Sequence, residues 1–576
     1  METINSFKGY GKVDPRENEV YRRKARRRVA IVVVSAIVLV AVVVGAVVGV
    51  VVKKKSNDAG SQTSPAITLK ALCGVTRFPD SCYSSISSLN ASNTLDPGTF
   101  FKLSLRVVQD SLSKVKDLPQ KLAHGVDNDL VNSALDACSV VLDEALDSLN
   151  DTVSAMDDHD GKQLLSPSMI DDLKTWLSSV ITSQNTCIDS LKEANDTAIT
   201  DQFEKAMTNS TEFASNSLAI VAQFLSVLSS SGFPIHRKLL GYQRDEGGFP
   251  IWMSVGDRRL LQSSNLTPNV TVAADGSGDF KTIKDAAAKI PSKSPSRFII
   301  HIKAGTYNEN VDLPKSSWNV MIYGDGIGKT VITGKSSFAD GVTTFRTATF
   351  SIAGKNFIAR DISFVNTAGA ANHQAVAFRS GSDMSVYSRC AFDAFQDTLY
   401  SHSNRQFYSE CQITGTIDFI FGNAAVVFQN CDVLPRQPMA NQFNTITAQG
   451  KMDPNQNTGI SIQNCRIRAN GNVTAATYLG RPWKSYSTTV IMQSEIGAVV
   501  NSQGWTPWTN GVDPPSTIYY GEYQNTGPGS GVSGRVKWNG YHPSLISNQA
   551  AKFTVGSFID GATWLPSTSV TFSSGL

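Results

Sequence analysis

Charge is sparse in this 576-residue chain: 18% of the residues are Asp, Glu, Lys or Arg, and the net charge is only +3. The basic residues of the C-terminal half are scattered, so nucleic acid is not an expected partner. Histidine is scarcer still, at seven, and no His/Cys set has metal-ligand spacing; neither a metal nor a cofactor is expected. No Gly-x-Ser-x-Gly elbow occurs, which argues against a serine hydrolase of the α/β type. What is plentiful is apolar residues, at 41%, and glycine, at 43. The first excludes general disorder; the second favours turn-rich β architecture over an all-helical protein. The length suggests two to four domains.

The small net charge hides a segregation. Residues 1–55 carry net +8, residues 56–261 net −10 and residues 262–576 net +5. An acidic middle and a mildly basic C-terminal part would attract each other, and the basic part would suit a polyanionic substrate.

Residues 29–52 form an uninterrupted run of 24 apolar or small residues, enough to span roughly 30 Å of hydrocarbon. The reading is a transmembrane signal anchor behind a cytosolic basic tail, 1–28, with a cleaved signal peptide as the alternative. The cluster Arg22, Arg23, Lys24, Arg26, Arg27 and Arg28 outweighs Lys53, Lys54 and Lys55, which places the bulk of the chain in the lumen. Eight cysteines and seven N-x-S/T sequons, at Asn90, Asn150, Asn195, Asn209, Asn265, Asn269 and Asn472, agree with a secretory, oxidising route.

Beyond the run, two halves differ in period. Residues 65–231 repeat apolar residues at three and four, as in 100–112, 130–150, 169–191 and 213–228, which predicts about four amphipathic helices in a bundle. Cys73 and Cys82 are close enough to staple a hairpin, and Cys138 and Cys187 sit on two different predicted helices that a disulfide would tie. The four-cysteine pattern, CGVTRFPDSC and DLKTWLSSVITSQNTC make this segment resemble the plant invertase/pectin methylesterase inhibitor family. A linker follows at 232–261, with two similar tetrads, Arg237-Lys238-Leu239-Leu240 and Arg258-Arg259-Leu260-Leu261, which read as protease-processing sites.

Residues 262–576 hold short β-rich runs between Gly, Asn, Asp and Ser. Aligning VYSRC, FYSEC, VFQNC and SIQNC puts Cys390, Cys411, Cys431 and Cys465 in register, at spacings of 21, 20 and 34. IARD (358–361) and IMQS (491–494) fit the unit less well. A repeat near 20 residues predicts a right-handed parallel β-helix, in which like positions of adjacent coils stack; a β-sandwich would not explain the repeated unit. The four cysteines allow three pairings. Stacking favours 390–411 and 431–465, and free stacked thiols remain open.

Seven residues past Cys390 is Asp397, and seven past Cys411 is Asp418; seven past Cys431 is Pro438, so the pair does not extend into a ladder. Two stacked carboxyls repel when both are ionised, which suits one protonated acid beside one carboxylate, a general acid/base beside a nucleophile. Gln396 and Gln374 are neutral amides able to donate to an oxyanion. Arg481 could hold a carboxylate in a two-pronged grip, and Trp483 offers a face for a sugar ring.

These residues fall in ADGSGDFKTI, GTYNE, QAVAFR, FQDTLY, DFIFG and LGRPW, and together they make residues 262–576 resemble the plant pectin methylesterases. The family often has Tyr at Phe395 and Leu at Phe378. The resemblance implies an all-β catalytic domain behind an all-α pro-region and hydrolysis of galacturonate methyl esters in pectin. It makes Asp418 the nucleophile, Asp397 the acid/base, Gln396 and Gln374 the oxyanion donors, and Arg481 the partner of Asp418. Trp483 and Thr344 are substrate contacts on the same ground, and Phe419 and Phe421 would flank the cleft. It also implies pectin, a processing protease and separate inhibitor proteins as partners, a mature domain in the cell wall, and a pro-region that silences the enzyme in transit or assists its folding. A lyase would need calcium-binding carboxylate clusters, and a polygalacturonase its Asn-Thr-Asp, Asp-Asp and Gly-His-Gly set; the β-rich half has neither.

Overall fold

The computed structural model describes residues 65–89, 97–157, 167–225 and 266–576. The anchor at 29–52, the linker tetrads with Arg237, Lys238, Arg258 and Arg259, and the sequons Asn90 and Asn265 lie outside these residues. Among the described residues no helix is long and apolar enough to cross a membrane. The remaining sequons, Asn150, Asn195, Asn209, Asn269 and Asn472, are all exposed.

The N-terminal half is helical. Four long helices, α1 (Pro97–Val115), α2 (Asp129–Asp157), α3 (Pro167–Glu193) and α4 (Thr197–Ala219), form the bundle, with shorter helices at Pro65–Cys73, Pro79–Ser87 and Leu118–Ala123. Periodicity dictates the packing. Val131, Leu135, Cys138, Leu142, Ala145 and Leu149 of α2 recur at three and four, and all are buried. Helix α4 begins well before the expected residue 213 because Asp196 caps it, accepting from the Ile199 N–H at 3.0 Å. Disulfides join Cys73 to Cys82, and Cys138 to Cys187 across α2 and α3.

The C-terminal half is a parallel β-helix of three sheets with 11, 7 and 8 strands. The seven-stranded sheet carries the site: β1 (Val311–Leu313), β2 (Phe350–Ile352), β3 (Phe378–Ser380), β4 (Leu399–Ser401), β5 (Ile420–Gly422), β6 (Asn444–Gln449) and β7 (Thr477–Pro482). Every neighbouring pair in it is parallel, so each coil lays its residues directly over the last. Inside, aromatic side chains stack along the axis, as in Tyr387–Tyr408 at 4.3 Å and Tyr408–Phe428 at 4.6 Å.

The cysteine repeat has a conformational cause. The residue before each cysteine, Arg389, Glu410, Asn430 and Asn464, has φ between 49° and 58°, a left-handed corner that turns the chain. Asp361 (φ 59°) and Gln493 (φ 52°) turn the same corner, followed by Ile362 and Ser494. IARD and IMQS are therefore full members of the repeat that lack only the cysteine.

The pairing of 390–411 and 431–465 is overturned: all four thiols are free and buried. In-register side chains point the same way and sit about 4.8 Å apart, more than the ~3.5–4.5 Å between Cβ atoms that a disulfide takes. Sulfurs act instead as weak acceptors for the preceding coil, from the Cys411 N–H to Cys431 Sγ at 3.4 Å and the Cys431 N–H to Cys465 Sγ at 3.3 Å.

The bundle lies on the seven-stranded sheet. Asp136, Asp172 and Asp189 of the bundle pair with Arg346, Arg405 and Lys484 of the β-helix at 2.6–2.8 Å. The expected attraction between an acidic and a basic half is realised side chain by side chain. Apolar contact is continuous too, because Phe345, Val376, Tyr400, Phe421 and Ala448 share one buried cluster with the bundle core.

Candidate active site

Asp397 stands two residues before β4 and Asp418 two residues before β5. The strands register Leu399 against Ile420, so the two acids occupy the same rung of adjacent coils. The backbone bonds agree: Asp397 N–H donates to the Ile417 carbonyl at 3.0 Å, and Leu399 N–H to that of Phe419 at 2.9 Å. Both acids have left-handed backbones, φ 64° and 51°, uncommon for residues other than glycine and tolerated best by Asp and Asn. The kink at Asp418 sets the direction of the side chains after it. Phe419 turns into the β-helix core, whereas Phe421 faces out and stacks on Tyr400 at 4.2 Å. The expectation that both would line the cleft holds for Phe421 and fails for Phe419.

A cavity of about 380 Å³ lies over this rung. Gln374, Gln396, Thr344, Arg481 and Trp483 all line it together with the two acids. Gln374 and Gln396 are themselves paired across adjacent coils by a parallel bridge. Arg481 grips Asp418 with both prongs, Nε on Oδ1 at 2.8 Å and Nη2 on Oδ2 at 2.6 Å. Trp483 lies against Gly450, where an added Cβ would come within 2.8 Å of the indole; only glycine lets the ring settle on the strand. Sequence reasoning missed Trp508, whose ring lies 4.3 Å from the Arg481 guanidinium, and Thr445, whose hydroxyl donates to Asp418 Oδ1 at 2.6 Å. Thr445 escaped because counting from Cys431 lands on Pro438. The loop at 436–443 lengthens that coil, and the third rung falls on Thr445, two residues before the Thr447 that registers with Ile420.

The environments of the two acids differ. Burial pushes the Asp397 carboxyl well above the usual carboxylate range, and the neighbouring charge of Asp418 pushes it further. Asp418 accepts from Arg481 and Thr445, whereas among the described residues none hydrogen-bonds the Asp397 carboxyl. A carboxyl biased toward its protonated form by burial therefore sits beside one gripped by a guanidinium, with amide groups at the same cavity.

The bundle forms the remaining wall. Thr186, Asp189, Lys192 and Glu193 of α3 line the cavity. Glu193 Oε2 accepts from the Thr344 N–H at 2.9 Å, and burial raises its carboxyl to about 7. Thr186 Oγ1 meets His402 Nε2 at 2.9 Å, and burial lowers that imidazole to about 3, so the ring is neutral.

Comparison with known proteins matches this architecture twice. The pectinesterase family model covers residues 269–562, and that of the plant invertase/pectin methylesterase inhibitor covers residues 68–220. The chain is 58% identical to pectinesterase 1 of Arabidopsis thaliana, over 99% of both chains. The chain belongs to the pectinesterase family. It is also 56% identical to pectinesterase 3 of Phaseolus vulgaris over the full length of both. Among solved structures, the pectin methylesterase from carrot superposes with a TM-score of 0.53 at 55% identity, covering 55% of this chain and all of its own. The protein is thus a pectinesterase, a carboxylic ester hydrolase of pectin, preceded by an inhibitor-like helical region.

Proposed function

We propose that this pectinesterase works through an acyl-enzyme on Asp418. An Asp418 carboxylate oxygen attacks the C6 ester carbonyl of a galacturonate, forming an O–C bond; Gln374 and Gln396 donate to the oxyanion. The C–OCH₃ bond then breaks, and the Asp397 proton goes to the departing methoxy oxygen, giving methanol and an anhydride. Asp397, now ionised, takes a proton from water as its oxygen attacks the carbonyl carbon. Asp418 leaves as carboxylate and Asp397 is protonated again. Arg481 orients Asp418, Trp483 packs on a sugar ring, and Thr344 contacts substrate once Glu193 has left it. The observation that carries this reading is the rung that pairs a buried Asp397, whose carboxyl has no donor among the described residues, with an Asp418 gripped by Arg481.

The bundle restrains this chemistry until the linker is cut. Supporting this, α3 walls the cavity and Glu193 occupies the Thr344 N–H. The anchor at 29–52, the secretory route and a mature domain in the cell wall complete the reading, with a protease acting at the linker tetrads. Methanol release from methylated pectin by the intact chain, by the linker-cleaved chain and by cleaved Asp418→Asn and Asp397→Asn tests both parts. Wild-type rates in either variant would overturn the mechanism, and equal rates before and after cleavage would overturn the restraint.

A further inference from the structure

Resting on Asp418 as nucleophile, we infer that Thr445 is a positioning residue that sets the rotamer of this carboxylate. Its side chain is fully buried at the start of β6, level with Asp418 in the next coil. The hydroxyl makes two bonds to the same residue. It accepts from the Asp418 backbone N–H at 2.8 Å and donates to Asp418 Oδ1 at 2.6 Å. One oxygen thereby ties the main chain of Asp418 to its own carboxylate and fixes the torsion between them. The tie is anchored, because the Thr445 N–H is bonded to the Thr416 carbonyl at 3.1 Å and a β-branched side chain is stiff at χ1.

Arg481 orients the carboxylate from β7 with its two-pronged grip, whereas the Thr445 hydroxyl bonds both the carboxylate and the main chain of Asp418. Thr445 and Arg481 Nε hold Oδ1, and Arg481 Nη2 and Nε hold Oδ2 at 2.6 and 3.1 Å, so both oxygens of the carboxylate are fixed in place. Among the described residues Asp397 has no counterpart tie. The difference fits the two tasks: the nucleophile returns to one place in each half-reaction, whereas the acid/base must reach methanol and then water.

The test compares Thr445→Val and Thr445→Ser in the linker-cleaved chain, beside Asp418→Asn. Valine keeps the shape and removes both bonds, so kcat should fall roughly 10- to 100-fold with KM within about 2-fold. Serine restores the hydroxyl and should return kcat to within about 3-fold of wild type. Thermal melting reports folding; if the valine chain fails to fold, Thr445→Ala is read the same way. An unchanged kcat in the hydroxyl-free variant, a loss expressed in KM alone, or a loss that serine does not restore overturns the assignment. If Asp418→Asn is dead while Thr445→Val is unimpaired, only the role of Thr445 falls; if Asp418→Asn is itself active, the nucleophile assignment falls first.

Discussion

The β-helix brings Asp397 and Asp418 to the cavity one coil apart, and the bundle brings Asp189 and Glu193 to it one helical turn apart. Coil spacing locks the first pair into adjacent rungs, where parallel strands leave no freedom to separate. The α3 pair is carried on a rigid helix, but its position depends on a docking surface. Asp189 meets Lys484 at 2.6 Å, and Glu193, half-buried, accepts from the backbone N–H of Thr344. One half therefore holds carboxylates by its own ladder, and the other holds them only while the two halves stay together. The covalent chemistry follows the same division: crosslinked cysteines in the bundle, free stacked thiols in the β-helix.

That contrast can be broken from either side. The largest effect should come from the ladder. Asp418→Asn in the linker-cleaved chain should reduce methanol release by about 10³-fold or more, and Asp397→Asn by about 10²-fold or more, measured by initial rates on methylated pectin.

Next comes the crosslink. Replacing Cys138 and Cys187 by alanine opens a 49-residue separation and should cost the bundle about 4 kcal/mol by loop entropy. Cys411→Ala removes only a buried sulfur from a continuous stack and should cost about 1–2 kcal/mol. Calorimetry of each variant, following the bundle and β-helix transitions, checks whether the two differ in this order.

Glu193 gives docking a pH dependence. Its carboxyl rises from an ordinary 4.5 to about 7 on burial, so docking favours the protonated form. The contribution is fully present below pH 4.5 and is lost as pH rises through about 7, a difference on the order of 3 kcal/mol. Gel filtration of the linker-cleaved chain at pH 5 and pH 8 should show halves that separate more readily at pH 8. Glu193→Gln should flatten that dependence.

The smallest effect is expected at Lys484–Asp189, both about one-fifth exposed. Asp189→Asn should weaken docking by about 1 kcal/mol or less, seen as a few-fold rise in methanol release by the intact chain.

How much of this was legible depended on whether the chain could be counted. From Cys390 to Asp418 the coils carry no insertion, so seven residues on from each cysteine reached the two acids of one rung. The loop at 436–443 then broke the count and hid Thr445. The α2 and α3 helices were visible because burial there follows a 3.6-residue period. Phe419 was misplaced because adjacency to Asp418 along the chain does not fix which way a side chain turns, and this one packs into the β-helix core. The cysteines were misread because register places side chains in parallel, and a disulfide needs them closer.

The local order of the chain, then, was settled by the sequence alone: helical and coiled halves of opposite charge, two acids one coil apart, and the motifs around them. Tertiary structure decided which faces meet. That α3 closes the cavity, that Glu193 meets Thr344 there and that Thr445 reaches Asp418 depend on surfaces far apart in the chain. Their fit is a property of three-dimensional shape and desolvation, which no spacing along a sequence encodes.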